Sequence, residues 1–185
     1  MASFATDQEA EAAMLLENVD KIIQDKINLA YFEFYQTKGR DEIEKLNNDP
    51  KLNKKWEGRI FDNNKQVKDH LKKLSKKPGN EWLKHPKAQD AFNRFLNGTA
   101  NGFVFSIEEI KKMYPGYKGR GVCFINTEAV KNNIAKGKRY SSNAVHHEIK
   151  HVFFSEKYPT TEKGNADLNT FRQKLEATLQ DSQNP

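Results

Sequence analysis

Apolar residues recur at helical spacing through the first forty positions: Met14, Leu15, Val19, Ile22, Ile23, Ile27, Leu29, Ala30 and Phe32. They predict one long helix that opens near Asp7 and Gln8 and ends near Gly39, with a stripe wide enough to imply burial against partner helices. From Asp41 to Lys77 the chain is strongly charged, and two further helices are expected there, the second carrying Val67, Leu71 and Leu74 up to a break at Pro78-Gly79-Asn80. After Trp82 and Leu83, the spacing of Ala88, Ala91, Phe92 and Phe95 predicts a helix closed by Asn97-Gly98. Phe103-Val104-Phe105 reads as a short strand, and Ser106 with Glu109 forms a capping box opening a helix that Pro115-Gly116 ends. The β-prone run Gly121 to Asn126 is a second strand candidate.

Two more helices are expected towards the C-terminus. Tyr140-Ser141-Ser142-Asn143 supplies N-cap residues, and Val145, Ile149, Val152 and Phe153 then follow helical spacing. Leu168, Phe171, Leu175 and Leu179 mark the last helix, with Asp167 in its first turn and the polar tail Asp181 to Pro185 expected to fray. The fold class is therefore α+β and α-rich, with a helical region over 1–101 and a compact region over 102–185. One continuous domain is the alternative division.

Of five histidines, three fall in the run His146-His147-Glu148-Ile149-Lys150-His151, whose last five residues are an HExxH pattern. Chance placement would give the pattern in about one chain of this composition in a hundred. On a helix, residues four apart share a face, so His147 and His151 can offer imidazole nitrogens to one Zn2+ ion. Glu148 is placed as the general base for a water at the metal's open position. The alternative is a polar edge of an amphipathic helix with no ligand role.

At these residues the chain resembles the zincin metallopeptidases, whose signature is HExxH on the active-site helix; the resemblance covers the motif, its helix and the layout of the C-terminal sixty or so residues. His146 stands where a small or apolar residue is usual, and Lys150 places a charge inside the motif. The resemblance implies a minimal zincin-like lobe with a small sheet, Zn2+ as cofactor, and hydrolysis of a protein or peptide substrate. It also implies a third ligand downstream. No histidine follows His151, which excludes the extended metzincin form, so a carboxylate is expected: Asp167 first, then Glu162, with Glu156 and Glu176 behind. Tyr158 is the candidate donor for the transition state, with Tyr140 and Arg172 also in range. Zincins hold substrate along an edge strand before the active helix, a part for which Gly121 to Asn126 is the candidate.

Composition narrows the alternatives. The 185 residues allow a real core, and no apolar run is long enough to span a bilayer. Met1 to Asp7 lacks the form of a signal peptide, so the chain is expected to be cytoplasmic as synthesised, with signal-independent export as a secreted effector or toxin protease suggested by its style. The lone Cys123 allows no intramolecular disulfide and is expected to pack as a small hydrophobe. A net charge of +6, carried mostly by lysine clusters, favours encounter with an acidic partner, but interspersed acids and few arginines make solvated helix faces the better reading, and nucleic acid is an unfavoured partner. The competing class is a non-enzymatic basic helical module that binds nucleic acid or an acidic protein.

Overall fold

A computed structural model describes residues 6–159 and 162–183 of the chain. Among the described residues, seven helices surround one three-stranded sheet, in the order α1 (Asp7–Asn48), β1 (Trp56–Phe61), α2 (Asn64–Ser75), α3 (Pro86–Leu96), β2 (Gly102–Phe105), α4 (Ile107–Met113), β3 (Gly121–Asn126), α5 (Thr127–Ala135), α6 (Ala144–Lys157) and α7 (Glu162–Gln183). Short 3-10 turns at Glu81–Lys84 and Arg139–Asn143 lead into α3 and α6. The expected α-rich α+β class is observed. The expected division near Asn101 falls inside the sheet, which takes β1 from one side of it and β2 and β3 from the other.

The sheet order is β1-β3-β2, with β1 parallel and β2 antiparallel to β3. Side chains alternate across its two faces, so each strand feeds two cores. Trp56, Cys123 and Ile125 pack with Tyr35, Ile43 and Leu46 of α1, Val130 and Ile134 of α5, and Val145, Ile149 and Val152 of α6. Phe61, Phe103, Val122 and Phe124 pack on the opposite face with Val67, Trp82, Phe92, Phe95 and Ile110. There the Phe92 and Phe103 rings stack with centroids 4.3 Å apart.

β3 is the central strand and is buried along its whole length, which corrects its expected part as a substrate-binding edge. The edges are β1 and β2. On β1 the Asn47 side chain substitutes for a further strand: its Oδ1 accepts from Gly58 N–H at 3.0 Å and its Nδ2 donates to Gly58 C=O at 2.9 Å. The charged stretch from Asp41 to Lys77 thus holds the end of α1, then β1 in place of the first expected helix, and α2 with Val67, Leu71 and Leu74 as the second. Its alternation is hidden because Glu57 and Arg59, which pair at 3.1 Å, occupy the face that His70 covers.

Gly39, expected to end the first helix, lies inside it. A Cβ there would stand 2.7 Å from Val145 Cγ2, so the missing side chain lets α1 and α6 cross closely. The stripe on the first half of α1 is also not buried as expected: Met14, Leu15, Leu16, Val19, Ile22 and Ile23 are exposed, and packing begins near Phe32. α7 leaves Phe171, Leu175 and Leu179 exposed in the same way. It runs to Gln183 through much of the tail expected to fray; Asn184 and Pro185 lie outside the described residues.

Replacing Gly39 by Leu is expected to push α6 off α1 and lower stability by about 1–3 kcal/mol, as overpacking of a tight contact does. Urea unfolding measures it. A variant as stable as the parent would show that the two helices do not meet at Gly39.

Candidate metal centre

α6 carries all three motif residues, and its burial fixes where each one points. Val145, Ile149 and Val152 form the inward stripe. His147 and His151, one turn apart, lie on the outer side, while Glu148 is turned towards the sheet and half-buried. Asn143 stands at the N-cap position without a side-chain hydrogen bond, so the helix is started by the preceding 3-10 turn and not by the expected cap.

The two imidazoles converge. His147 Nε2 and His151 Nε2 are 3.2 Å apart, with the rings perpendicular at 89°. Two Nε2 atoms bound to one tetrahedral zinc, each about 2.0–2.1 Å from it, stand about 3.3 Å apart. The pair therefore already has the bite that zinc needs. Burial, then the neighbouring His147, lowers the pKa of His151, while the Glu109 charge opposes them. The neutral, metal-binding form of the ring is thereby favoured.

Glu148 lies in the gap between α6 and β2. A Cβ on Gly102 would stand 2.3 Å from both Glu148 Cγ and Cδ, so the carboxylate occupies the space that this glycine leaves. Burial pushes its pKa up to about 7, from 4.5 for a free side chain. A base near neutrality is suited to taking a proton from water and returning it. Cys123 is fully buried below; burial, with the Glu148 charge second, pushes the thiol up, and it packs as a small hydrophobe as expected.

The strand beside Glu148 is the open edge of the sheet. Asn126 N–H donates to Asn101 C=O at 2.9 Å, making those two residues a bonded pair. The antiparallel alternation then turns the main-chain groups of Gly102 and Val104 outward. A cleft of about 600 Å³ opens beside the start of α6, at the residues that precede β2, lined by Thr99, Asn101, Tyr140, Asn143, His147 and Glu148. Its wall is held by amides: Asn133 donates to Asn101 Oδ1 at 2.7 Å and to Gly98 C=O at 3.1 Å, and Asn101 donates to Ser141 Oγ at 3.1 Å.

The expected third ligand is not assembled. Among the described residues no group of three or more His, Cys, Asp or Glu side chains is placed to hold a metal. Asp167 is exposed in the second turn of α7, because that helix begins at Glu162, earlier than expected. The Glu162 side chain lies outside the described residues. Glu156 accepts from Trp56 Nε1 at 2.8 Å and pairs with Lys55 at 3.2 Å, an anchoring role in place of ligation. Glu176 is exposed on α7. The carboxylate whose charge reaches His151 is Glu109 at the start of α4, which the capping box identified only as a helix cap.

Tyr158 does not line the cleft. It ends α6 and packs against Phe154 and Phe171, with ring centroids 5.2 and 5.9 Å away, so it joins α6 to α7. Arg172 is exposed on α7. Tyr140, 71% exposed, is the tyrosine that lines the cleft. Sequence reasoning missed Gly102 and Asn101, whose parts depend on contacts across the fold. Comparison with protein-family models, curated proteins and solved structures finds no match to this chain.

Because the folded pKa of Glu148 is raised, the folded chain keeps a proton that the unfolded chain has lost between pH 4.5 and about 7, and stability falls as pH rises through that window. Glu148→Gln has no proton to lose. The metal-free variant is expected to exceed the parent in stability by on the order of 2 kcal/mol at pH 8, after allowance for partial exposure, and to match it at pH 4. Urea unfolding at the two pH values checks this; equal midpoints at pH 8 would mean that the carboxylate is not buried against β2.

Proposed function

We propose that the chain is a zinc-dependent metallopeptidase of zincin type, acting on a protein or peptide substrate. The observation that carries this reading is the 3.2 Å convergence of His147 and His151 Nε2 beside a half-buried glutamate on an open strand edge. His147 and His151 would hold the metal. Zinc, when bound, would supply a Lewis acid for the scissile carbonyl and acidify a water. Glu148 takes the proton from the attacking water and passes it to the leaving amine.

An extended peptide would align on the outward main-chain groups of Gly102 and Val104, which fix its register without reading its sequence. Gly102 has a second part, since its missing Cβ leaves Glu148 its place. Asp167 is the proposed third ligand, and it completes the set if α7 closes on α6 as zinc binds; the exposed Phe171, Leu175 and Leu179 give that movement apolar surface to cover. A protease of this kind delivered into another cell would have its helical first half free to recognise the target.

Glu148→Gln is expected to retain near-stoichiometric zinc and lose hydrolysis, and His147→Ala or His151→Ala to lose the zinc. Gly102→Ala should bind zinc normally and lose about 100-fold in kcat/KM, because the added methyl displaces the base. Metal analysis beside turnover of a peptide library measures all four. Purified parent protein that takes up no zinc would favour the basic binding module instead. Asp167→Asn is expected to weaken zinc binding by 10-fold or more, and an unchanged Kd would remove Asp167 from the ligand set.

A further inference from the structure

A second cavity, about 260 Å³, lies in the groove between α1 and α6. Its body is apolar, built from Leu46, Leu52, Ile149 and Phe153, and it offers room on the order of eight or nine water volumes, enough for one large side chain. The cavity adjoins the cleft: His146 and Lys150, the two positions where the motif departs from its common form, line both.

The charges along the groove are not symmetric. Lys38 and Asp49 mark its two ends on α1, eleven residues and about 16 Å apart. Gly39 meets Val145 and Glu42 meets His146 at 3.3 Å, so the Lys38 end lies beside the start of α6, where the cleft opens. Lys45, midway, is already paired with Asp41 at 3.0 Å, whereas no ion pair is found for Lys38 or Lys150 among the described residues. At the far end Asp49 accepts from Lys51 N–H at 2.8 Å. Between them Glu42 Oε2 is buried without a hydrogen-bond partner, an acceptor that a main-chain N–H of an occupant would satisfy.

We infer that this groove is the specificity pocket of the cleft, taking from the substrate a large apolar side chain next to an acidic one: the apolar side chain fills the space over Ile149 and Phe153, and the acidic one pairs with Lys150 and Lys38 at the junction with the cleft. The inference rests on the peptidase reading for its substrate, but the pocket can be tested without turnover. Lys150 is exposed and Phe153 is 55% exposed, so both can be changed without disturbing the core.

The test uses labelled peptides carrying Leu-Glu, Leu-Lys or Ala-Glu at otherwise fixed positions. Their binding to the full-length, metal-free Glu148→Gln protein is measured by fluorescence anisotropy. Leu-Glu is expected to bind at least 10-fold tighter than either other peptide. Lys150→Glu, added to that protein, should reverse the order of Leu-Glu and Leu-Lys, and Phe153→Ala should remove most of the preference for Leu over Ala. Equal binding of the three peptides, or a preference for Glu that survives Lys150→Glu, overturns the pocket. Zinc-loaded parent protein then separates the two readings. Preferred binding without cleavage of any peptide overturns the peptidase and leaves a peptide-binding groove, whereas cleavage without preference overturns the pocket alone.

Discussion

The arrangement depends on the seat of α6. Its inward stripe of Val145, Ile149 and Val152 can be buried in only one rotational setting, because two glycines on its neighbours decide what fits beside it. Gly39 admits Val145 on the α1 side, and Gly102 admits Glu148 on the β2 side. With those contacts made, helical geometry leaves no freedom for the rest: His147 and His151 must face outward together, and His146 and Lys150 must face the groove along α1. A rotation by one residue, about 100°, would bury a histidine and expose the stripe, at a cost of several kcal/mol in apolar burial alone.

Buried amides brace that seat from behind. Asn126 at the end of β3 donates to Asn64 Oδ1 at 2.6 Å and Phe95 C=O at 3.1 Å, tying the central strand to α2 and α3, while its own Oδ1 caps α5. Asn133 and Asn101 then link α5, the start of β2 and the turn before α6. Each of these amides is buried or half-buried, so breaking one bond leaves a polar group unpaired in a dry setting, which is why such networks resist small displacements. The cleft wall is therefore rigid on the side of Asn101. Tyr140, which also lines the cleft, is exposed.

Local signals in the chain are sufficient for the motif helix, the capping box at Ser106, β2, β3, and the helices built on Phe92 and Val67, because in each case the local pattern of apolar residues agrees with burial. They were insufficient where a residue's part is set by a distant contact. Glu57 and Arg59 disguise β1 because their partners are each other and a histidine on α2. Gly39 and Gly102 carry no periodic signal, as their role is to be small opposite Val145 and Glu148. The stripe on α1 was legible as a stripe, but periodicity reports only that a face is apolar and cannot say what covers it. Asp167 shows the same limit: its place in the sequence suits a ligand, yet ligation is a statement about three side chains at one point, and spacing along a single chain fixes only the two that share a helix.

The same burial that seats α6 also sets the electrostatics of the candidate centre. It lowers His151 and raises Glu148, each towards its neutral form, although the chain as a whole carries +6. Burial thus disfavours the charged form of both groups in the metal-free centre. A divalent cation placed between the rings would reinforce the first preference, keeping His151 unprotonated, and reverse the second, drawing Glu148 towards its carboxylate form. Ion binding and activation of the base would then be one event. The lysine inside the motif stands at the border of both spaces: Lys150 lines the α1 groove as well as the cleft.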